Sequence, residues 1–481
     1  MQGRNDYAFK GLWARYQNAN ACTTTLDEVA DWAASKGLSV IGIQRREVGA
    51  FSKTDCIVIQ TTQGSGCFPA DPAACHEHWG VRHKEYSRIS GIWEKLEWFS
   101  PLWISRKHVT QILQDAERLE PVEAIKSFDY HTSTIYTLPF EAVCIEQVMG
   151  SAECLKDVQP LAREAFLAFY AGYKAASIAA LIPAIEGAIS KILPPETHAL
   201  ATMERVNRVI EGAVQYAADI HYEEMWTPPE YRTTDYLFCM DEHVFAFETF
   251  RRWLQNCFYQ RTEAYTGATN LNRHLFAHGI SADWQKASLS RLIVALATIG
   301  TIEAWYRKDS SSTLFFPEQS EESRLLWEQA ILHGSAQMVI KQIEAASYHQ
   351  HGRRVPVMPS DDGAMLRRAL LMDDCIKDLV RPMREAGWAV SVQENDSDLY
   401  VIVVGRSGKE KIKVALLYSC GAENGLYKEL AQDCQAILYR GAPYKQSQFA
   451  WGITVHVGPV AGWQPPRPQE REGEDTSEKF E

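Results

Sequence analysis

Arg273 and His278 lie five positions apart in the string Asn272-Arg273-His274-Leu275-Phe276-Ala277-His278-Gly279. Arginine holds its charge and forks onto phosphate oxygens, and histidine titrates near neutral pH, where it can give or take a proton. Together they suit phosphodiester chemistry. In a regular helix, positions five apart point about 140° away from one another. The pair therefore needs a helix end to converge on one place, and Gly279 can supply it. A two-fold dimer can also unite two copies of the pair in one composite site.

The elements that must position this pair are helical. From 155 to 350 the apolar residues recur at helical spacing. Between Pro160 and Leu193 they are Phe166, Tyr170, Tyr173, Leu181, Ile185 and Ile189, with Pro183 expected to bend or split the helix. Further helices are predicted over 199–217, 242–260, 288–306 and 321–348. The third of these is the most apolar, with Leu289, Leu292, Ile293, Leu296, Ile299 and Trp305. Long helices with modest connections suggest a bundle.

Mixed α/β patterns flank the bundle. In 1–150 a helix over 26–36 stops at Gly37, and strands follow over 38–43 and 56–60 around a turn at Lys53-Thr54-Asp55. Residues 64–72 read as a loop, and amphipathic helices are expected over 92–98 and 108–119. A polar linker, His349 to Asp362, marks a boundary. In 363–463 a helix over 366–385 stops at Gly387. Strands are expected over 388–393, 399–404, 412–418 and 451–457, with a hairpin turn at Gly405-Arg406-Ser407-Gly408 and a helix over 426–438. Residues 464–481 are rich in Pro, Glu and Lys and read as a disordered tail. The expected class is α+β multidomain: a central all-α bundle between two small α/β domains. Helix, Gly, strand, turn, strand occurs at both Gly37 and Gly387, which fits an internal duplication or common punctuation.

The chain has 481 residues, for which about three domains is the length expectation. It is 46% hydrophobic and 23% charged, with 14 Trp and 20 Tyr to build cores. A formal net charge of −12 argues against a broad basic coat for nucleic acid but leaves room for a local basic cleft on RNA. The 11 cysteines are scattered, with no Cys-x-x-Cys, which reads as reduced thiols in a cytosolic protein. The polar start Met1-Gln2-Gly3-Arg4 does not read as a signal peptide, and Pro183 and Glu186 interrupt the apolar run after Ala175, so no membrane span is expected.

Arg273, a polar His274 and His278 resemble the arginine–x4–histidine motif of HEPN domains. The longer Asn-Arg-His-x-x-x-His-Gly string, preceded by Ile182-Pro183-Ala184-Ile185-Glu186-Gly187 and followed by the apolar helix Leu289 to Trp305, is similar to a bacterial HEPN-like group. The resemblance covers about 155–310. It implies an all-α bundle that usually dimerises, and often a metal-independent RNase serving as a toxin or in defence against phage. By that resemblance Arg273 and His278 are the catalytic pair, His274 takes the polar position after the arginine, and Glu186 orients Arg273 or His278. The RNA 2′-hydroxyl would be the nucleophile, His278 the acid or base, and Arg273 the stabiliser of phosphate charge. The residues also fit a plainer role: Arg273 bracing helices through Glu186 or Glu303, His278 ending a helix, and the bundle serving only for dimerisation or binding.

Other constellations are looser. Cys56, Cys67, Cys75, His76 and His78 cluster without the close spacing of a structural zinc site, so no metal is expected. Glu394, Asp396 and Asp398 before a strand, with Lys411 and Lys413 on the next, suggest a restriction-endonuclease-like core and a metal-dependent DNA nuclease as an alternative. Glu410 stands directly before Lys411, out of register for that pattern. Arg353-Arg354 and Arg367-Arg368 read as solvated basic pairs, and His333-Gly334 as a helix end. No glycine-rich phosphate loop is present, so no nucleotide cofactor is expected.

Overall fold

Local capping signals start the chain's first regular elements. After α1 (Gln2–Gln17), helix α2 (Leu26–Ser35) opens on a capping box in which Thr25 Oγ1 accepts from Glu28 N and the Glu28 carboxylate accepts from Thr25 N at 2.9 Å. Gly37, at φ +80°, ends it. Strands β1 (Val40–Val48), β2 (Thr54–Thr61) and β3 (Gly64–Pro69) form an antiparallel sheet in that order. The segment 64–72 is thus not simply a loop. Its Gly and Pro content hides an edge strand in which Cys67 pairs with Val58 and Phe68 with Ile57.

This computed structural model describes residues 2–19, 24–70, 77–197, 199–278, 282–309, 316–350, 363–393, 395, 397–441 and 446–468. Gly279, Cys75, His76, Glu394, Asp396, residues 351–362 of the expected linker and 469–481 of the expected tail lie outside them. The chain divides into two compact units, Met1–Glu328 and Gln329–Glu481.

Helices fill the rest of the first unit: α3 (Glu77–Lys95), α4 (Arg106–Arg118), α5 (Pro121–Thr132), α6 (Leu138–Val143), α7 (Val158–Tyr170), α8 (Lys174–Ile192), α9 (Thr202–His221), α10 (Thr234–Leu237), α11 (Glu242–Trp253), α12 (Arg273–His278) and α13 (Leu289–Tyr306). The break in the long apolar stretch falls at Gly172, φ +94°, between α7 and α8, while α8 runs through Pro183. A left-handed residue is easily adopted by glycine and stops a helix more firmly than this proline does.

The regions 1–150 and 155–328 share one compact unit because polar side chains stitch them together. Trp13 Nε1 donates to Glu230 at 2.7 Å, Trp79 Nε1 to the Tyr236 carbonyl at 3.0 Å, and Arg46 pairs with Glu223. Helix α13 is the central helix, buried on nearly every side, including Arg291 and Glu303 at its two ends. Both charges are satisfied. The Arg291 guanidinium donates to Asp129 at 2.8 and 2.9 Å and to the Leu96 and Glu97 carbonyls, between the rings of Trp98 and Phe128. Glu303 accepts from Arg307 and from the Cys154 amide. By length and composition α8 and α13 could cross a membrane. Half of the apolar window of α8 and 89% of that of α13 is instead buried inside the protein, as in core helices.

Helix α14 (Glu321–Gln350) begins in the first unit and runs on into the second. His333-Gly334 is therefore mid-helix rather than a helix end. The second unit continues with α15 (Gly363–Cys375), α16 (Arg381–Glu385), β4 (Ala389–Gln393), β5 (Tyr400–Ser407), β6 (Glu410–Leu417), α17 (Asn424–Asp433), β7 (Ala436–Tyr439), α18 (Gln446–Phe449) and β8 (His456–Pro459). The sheet order is β4-β5-β6-β7-β8, antiparallel through β6 and parallel beyond it. Val401, Val403, Val414 and Leu416 face a core with α15 and α16, whereas Ile402, Val404, Ala415 and Leu417 face one with α17. Burial on both faces explains the continuous apolar runs of β5 and β6. Two readings change here. The helix expected over 426–438 ends at Asp433 and its tail is strand β7. The hairpin turn sits at Gly408-Lys409, with Ser407 paired to Glu410.

A candidate surface site on helix α12

Asn272 builds the site. It is fully buried, and its amide nitrogen donates to the carbonyls of Cys257 and Gln260, both at 2.8 Å. Its amide oxygen accepts from the backbone N–H of His274 at 2.9 Å and of Leu275 at 3.0 Å. One side chain thus caps the start of α12 and ties it to the segment following α11. The preceding loop hangs from Glu97, whose carboxylate accepts from the amides of Ala268 at 2.6 Å and Thr269 at 3.1 Å and from the Tyr265 hydroxyl at 3.2 Å. Glu97 itself stands at φ +47°, an uncommon conformation for a side-chain-bearing residue.

Arg273 reaches across to α8 and forms an ion pair with Glu186. The two motif elements, separate in sequence, meet at this contact. Glu186 also accepts from the Thr202 hydroxyl at 3.2 Å and lies 3.9 Å from Arg205 of α9. Arg205 donates in turn to Ser190 and Thr202. The Tyr259 hydroxyl lies buried near this group with no hydrogen-bond partner among the described residues, and burial and then the Glu186 charge push its pKa up. Arg273 and Glu186 keep about a third and a quarter of their side-chain surface exposed, at 34% and 23%. An incoming phosphate could therefore reach the arginine.

His274 and His278 sit one helical turn apart with their rings nearly parallel, 7° between planes and 5.7 Å between centroids. His274 is half-buried and His278 exposed. Burial lowers the His274 pKa, and the charges of Arg273 and His278 lower it further, against opposing contributions from Glu186 and Glu263. A histidine held neutral near physiological pH is suited to accept a proton.

The four predicted site residues thus form two pairs, Glu186 with Arg273 and His274 with His278. Arg273 and His278 share α12 but engage different neighbours. The partner of Arg273 is Glu186 and not Glu303, which is taken by Arg307 and Cys154. Sequence reading left Asn272, Arg205, Tyr259 and Glu97 without roles. Asn272 was visible in the motif string, whereas Glu97 and Arg205 carry no local signal.

The site lies at the surface, with Arg273 partly exposed and His278 exposed. A cleft of about 360 Å³ lies elsewhere, lined by residues that include Asn207, Glu211, Asp235, Arg251 and Arg252. Its lining includes the buried Glu248, which accepts from both Arg251 and Arg252.

In the second unit Asp398 and Lys413, suggested as parts of a nuclease core, are engaged apart from one another. Asp398 accepts from Arg367 at 2.6 Å, and Lys413 pairs with Asp433. Lys413 stands opposite Val404, while Asp398 precedes Tyr400 toward the other end of that ladder. Cys56 and Cys67 are both buried in the N-terminal sheet, and no group of three metal-binding side chains occurs among the described residues.

No family model, curated protein or solved structure matches the chain, so the joining of Glu186 to Arg273 beside His274 and His278 rests on its own geometry.

Proposed function

We propose that the protein is a metal-independent endoribonuclease acting at α12, with the bundle similar to HEPN domains and serving as a cytosolic, homodimeric toxin or antiphage effector. The observation that supports this most is the ion pair of Arg273 with Glu186, which brings the two motif elements together beside an exposed histidine. On this reading Arg273 holds a phosphate oxygen, Glu186 sets the orientation of the guanidinium, and His278 transfers a proton. The net charge of −12 confines RNA contact to the neighbourhood of α12.

The same ion pair favours a second reading. A carboxylate already neutralises Arg273, as in a structural brace, and the unit would then serve dimerisation or binding without cleavage. The two readings separate in an RNA cleavage assay run in EDTA. Arg273→Ala and His278→Ala each abolish cleavage while circular dichroism stays unchanged if the site is catalytic. Wild-type protein that leaves RNA intact, or a fully active His278→Ala variant, selects the second reading.

A further inference from the structure

We propose that His274 is a second catalytic residue, and that His274 and His278 divide the two proton transfers of RNA cleavage between them. This rests on the endoribonuclease reading of α12 and deepens it. The two imidazoles are one turn apart, nearly parallel and stacked, with 5.7 Å between centroids. On this proposal a phosphodiester held at Arg273 meets both rings, one at the attacking oxygen and the other at the leaving oxygen. Asn272 fixes the start of the helix by accepting from the His274 amide, so the first ring is held by its backbone.

Two like-charged groups this close cannot both be protonated without cost. A charge on His278 therefore disfavours a proton on His274. His274 is the ring driven toward the neutral state. The groups acting on it are Arg273 and His278 on its own helix, Glu186 on α8 and Glu263 in the preceding loop. The short helical turn Asp283–Lys286 that packs near α12 contributes an internal Asp283–Lys286 pair at 2.8 Å, whose charges largely cancel.

The step balances without any co-reactant. Neutral His274 takes the proton of the ribose 2′-hydroxyl as its oxygen forms a bond to phosphorus. The bond from phosphorus to the 5′-oxygen breaks, and protonated His278 gives that oxygen its proton. The products are a 2′,3′-cyclic phosphate and a 5′-hydroxyl end. His274 leaves the step charged and His278 neutral, and exchange with water restores both.

The test is the pH profile of kcat/KM on a short RNA in EDTA, using the full chain. Wild type should rise with pH as His274, whose proton is disfavoured by burial and by the Arg273 and His278 charges, becomes neutral. His274→Ala should cut the rate by about 100-fold or more and remove the rising limb. The rate of His278→Ala should recover on RNA with a bridging 5′-sulfur, a leaving group that needs no proton. The sulfur substrate should not rescue His274→Ala. Thermal melting checks that each variant is folded, and His274→Gln, which keeps a polar side chain at the position, should be as slow as the alanine variant. If wild type cleaves and Arg273→Ala does not, but His274→Ala keeps the rate and the rise with pH, the second histidine is overturned and the endoribonuclease reading survives. If wild type cleaves nothing, both fall.

Discussion

Glu186 of α8 and Arg273 of α12 form an ion pair across 87 positions of sequence. The contact also draws in Thr202 and Arg205 of α9, so three helices meet at one carboxylate. Glu186→Gln removes the charge and keeps the shape. Because both partners are partly exposed, the cost in stability should be small, about 1 kcal/mol, read as a shift of a few degrees or less in the melting temperature. The effect on RNA cleavage should be larger, about 10-fold or more, because the guanidinium loses the group that aims it. Equal activity in wild type and variant would reduce Glu186 to a brace.

Asn272→Ala should be the most damaging change at the site for stability. It removes the cap of α12 and leaves two carbonyls without their donor, at a cost of about 2 kcal/mol or more. Urea denaturation reads this directly. Asn272→Asp keeps an acceptor for the His274 and Leu275 amides but sets a carboxylate against the Cys257 and Gln260 carbonyls. It should therefore be destabilised as well, which separates the donor role from the cap.

The pH dependence of stability should carry a signature of His243. This half-buried ring packs against Trp305, 4.3 Å between centroids, and desolvation lowers its pKa against the pull of Asp241 and Glu242. In the unfolded chain it takes a proton at about 6.5. The unfolded state therefore binds more protons as the pH falls below that value. The stability is fully present above the unfolded pKa and is lost as the pH drops through the lower, folded one. Urea midpoints at pH 7.5 and 5.5 should fall in wild type, and His243→Phe should show a smaller drop. An equal drop in both proteins would remove His243 as the source.

What could be read from the sequence was what local pattern encodes. Gly37, Ser288 and the apolar spacing of α13 all mark elements that appear where expected, because caps and periodicity act within a turn or two. Glu186 and Arg273 could be paired in advance because each sits in a recognisable string. The misreadings share one cause, which is competition between local signals. Pro183 looked like the stronger break but Gly172 was. Gly64 and Pro69 looked like loop punctuation, yet pairing with β2 made a strand. The apolar residues to Leu438 continued a helical spacing, but the parallel neighbour β6 claimed Ala436 to Tyr439. Glu97, Arg205 and Asp129 were not legible at all, since each acts on a residue far along the chain and nothing in its own neighbourhood marks it.

Glu97 has one consequence beyond geometry. Its backbone carbonyl takes a hydrogen bond from Arg291 in the buried helix α13, and its carboxylate holds the amides of Ala268 and Thr269 in the exposed loop before α12. An exposed loop ordinarily opens on its own and exchanges its amide hydrogens quickly. Here the loop shares an anchor with the core, so those two amides should exchange as slowly as the interior of α13, and Glu97→Gln should release them while α13 stays protected. The working surface would then lose its shape only when the centre of the unit opens, late in unfolding rather than early.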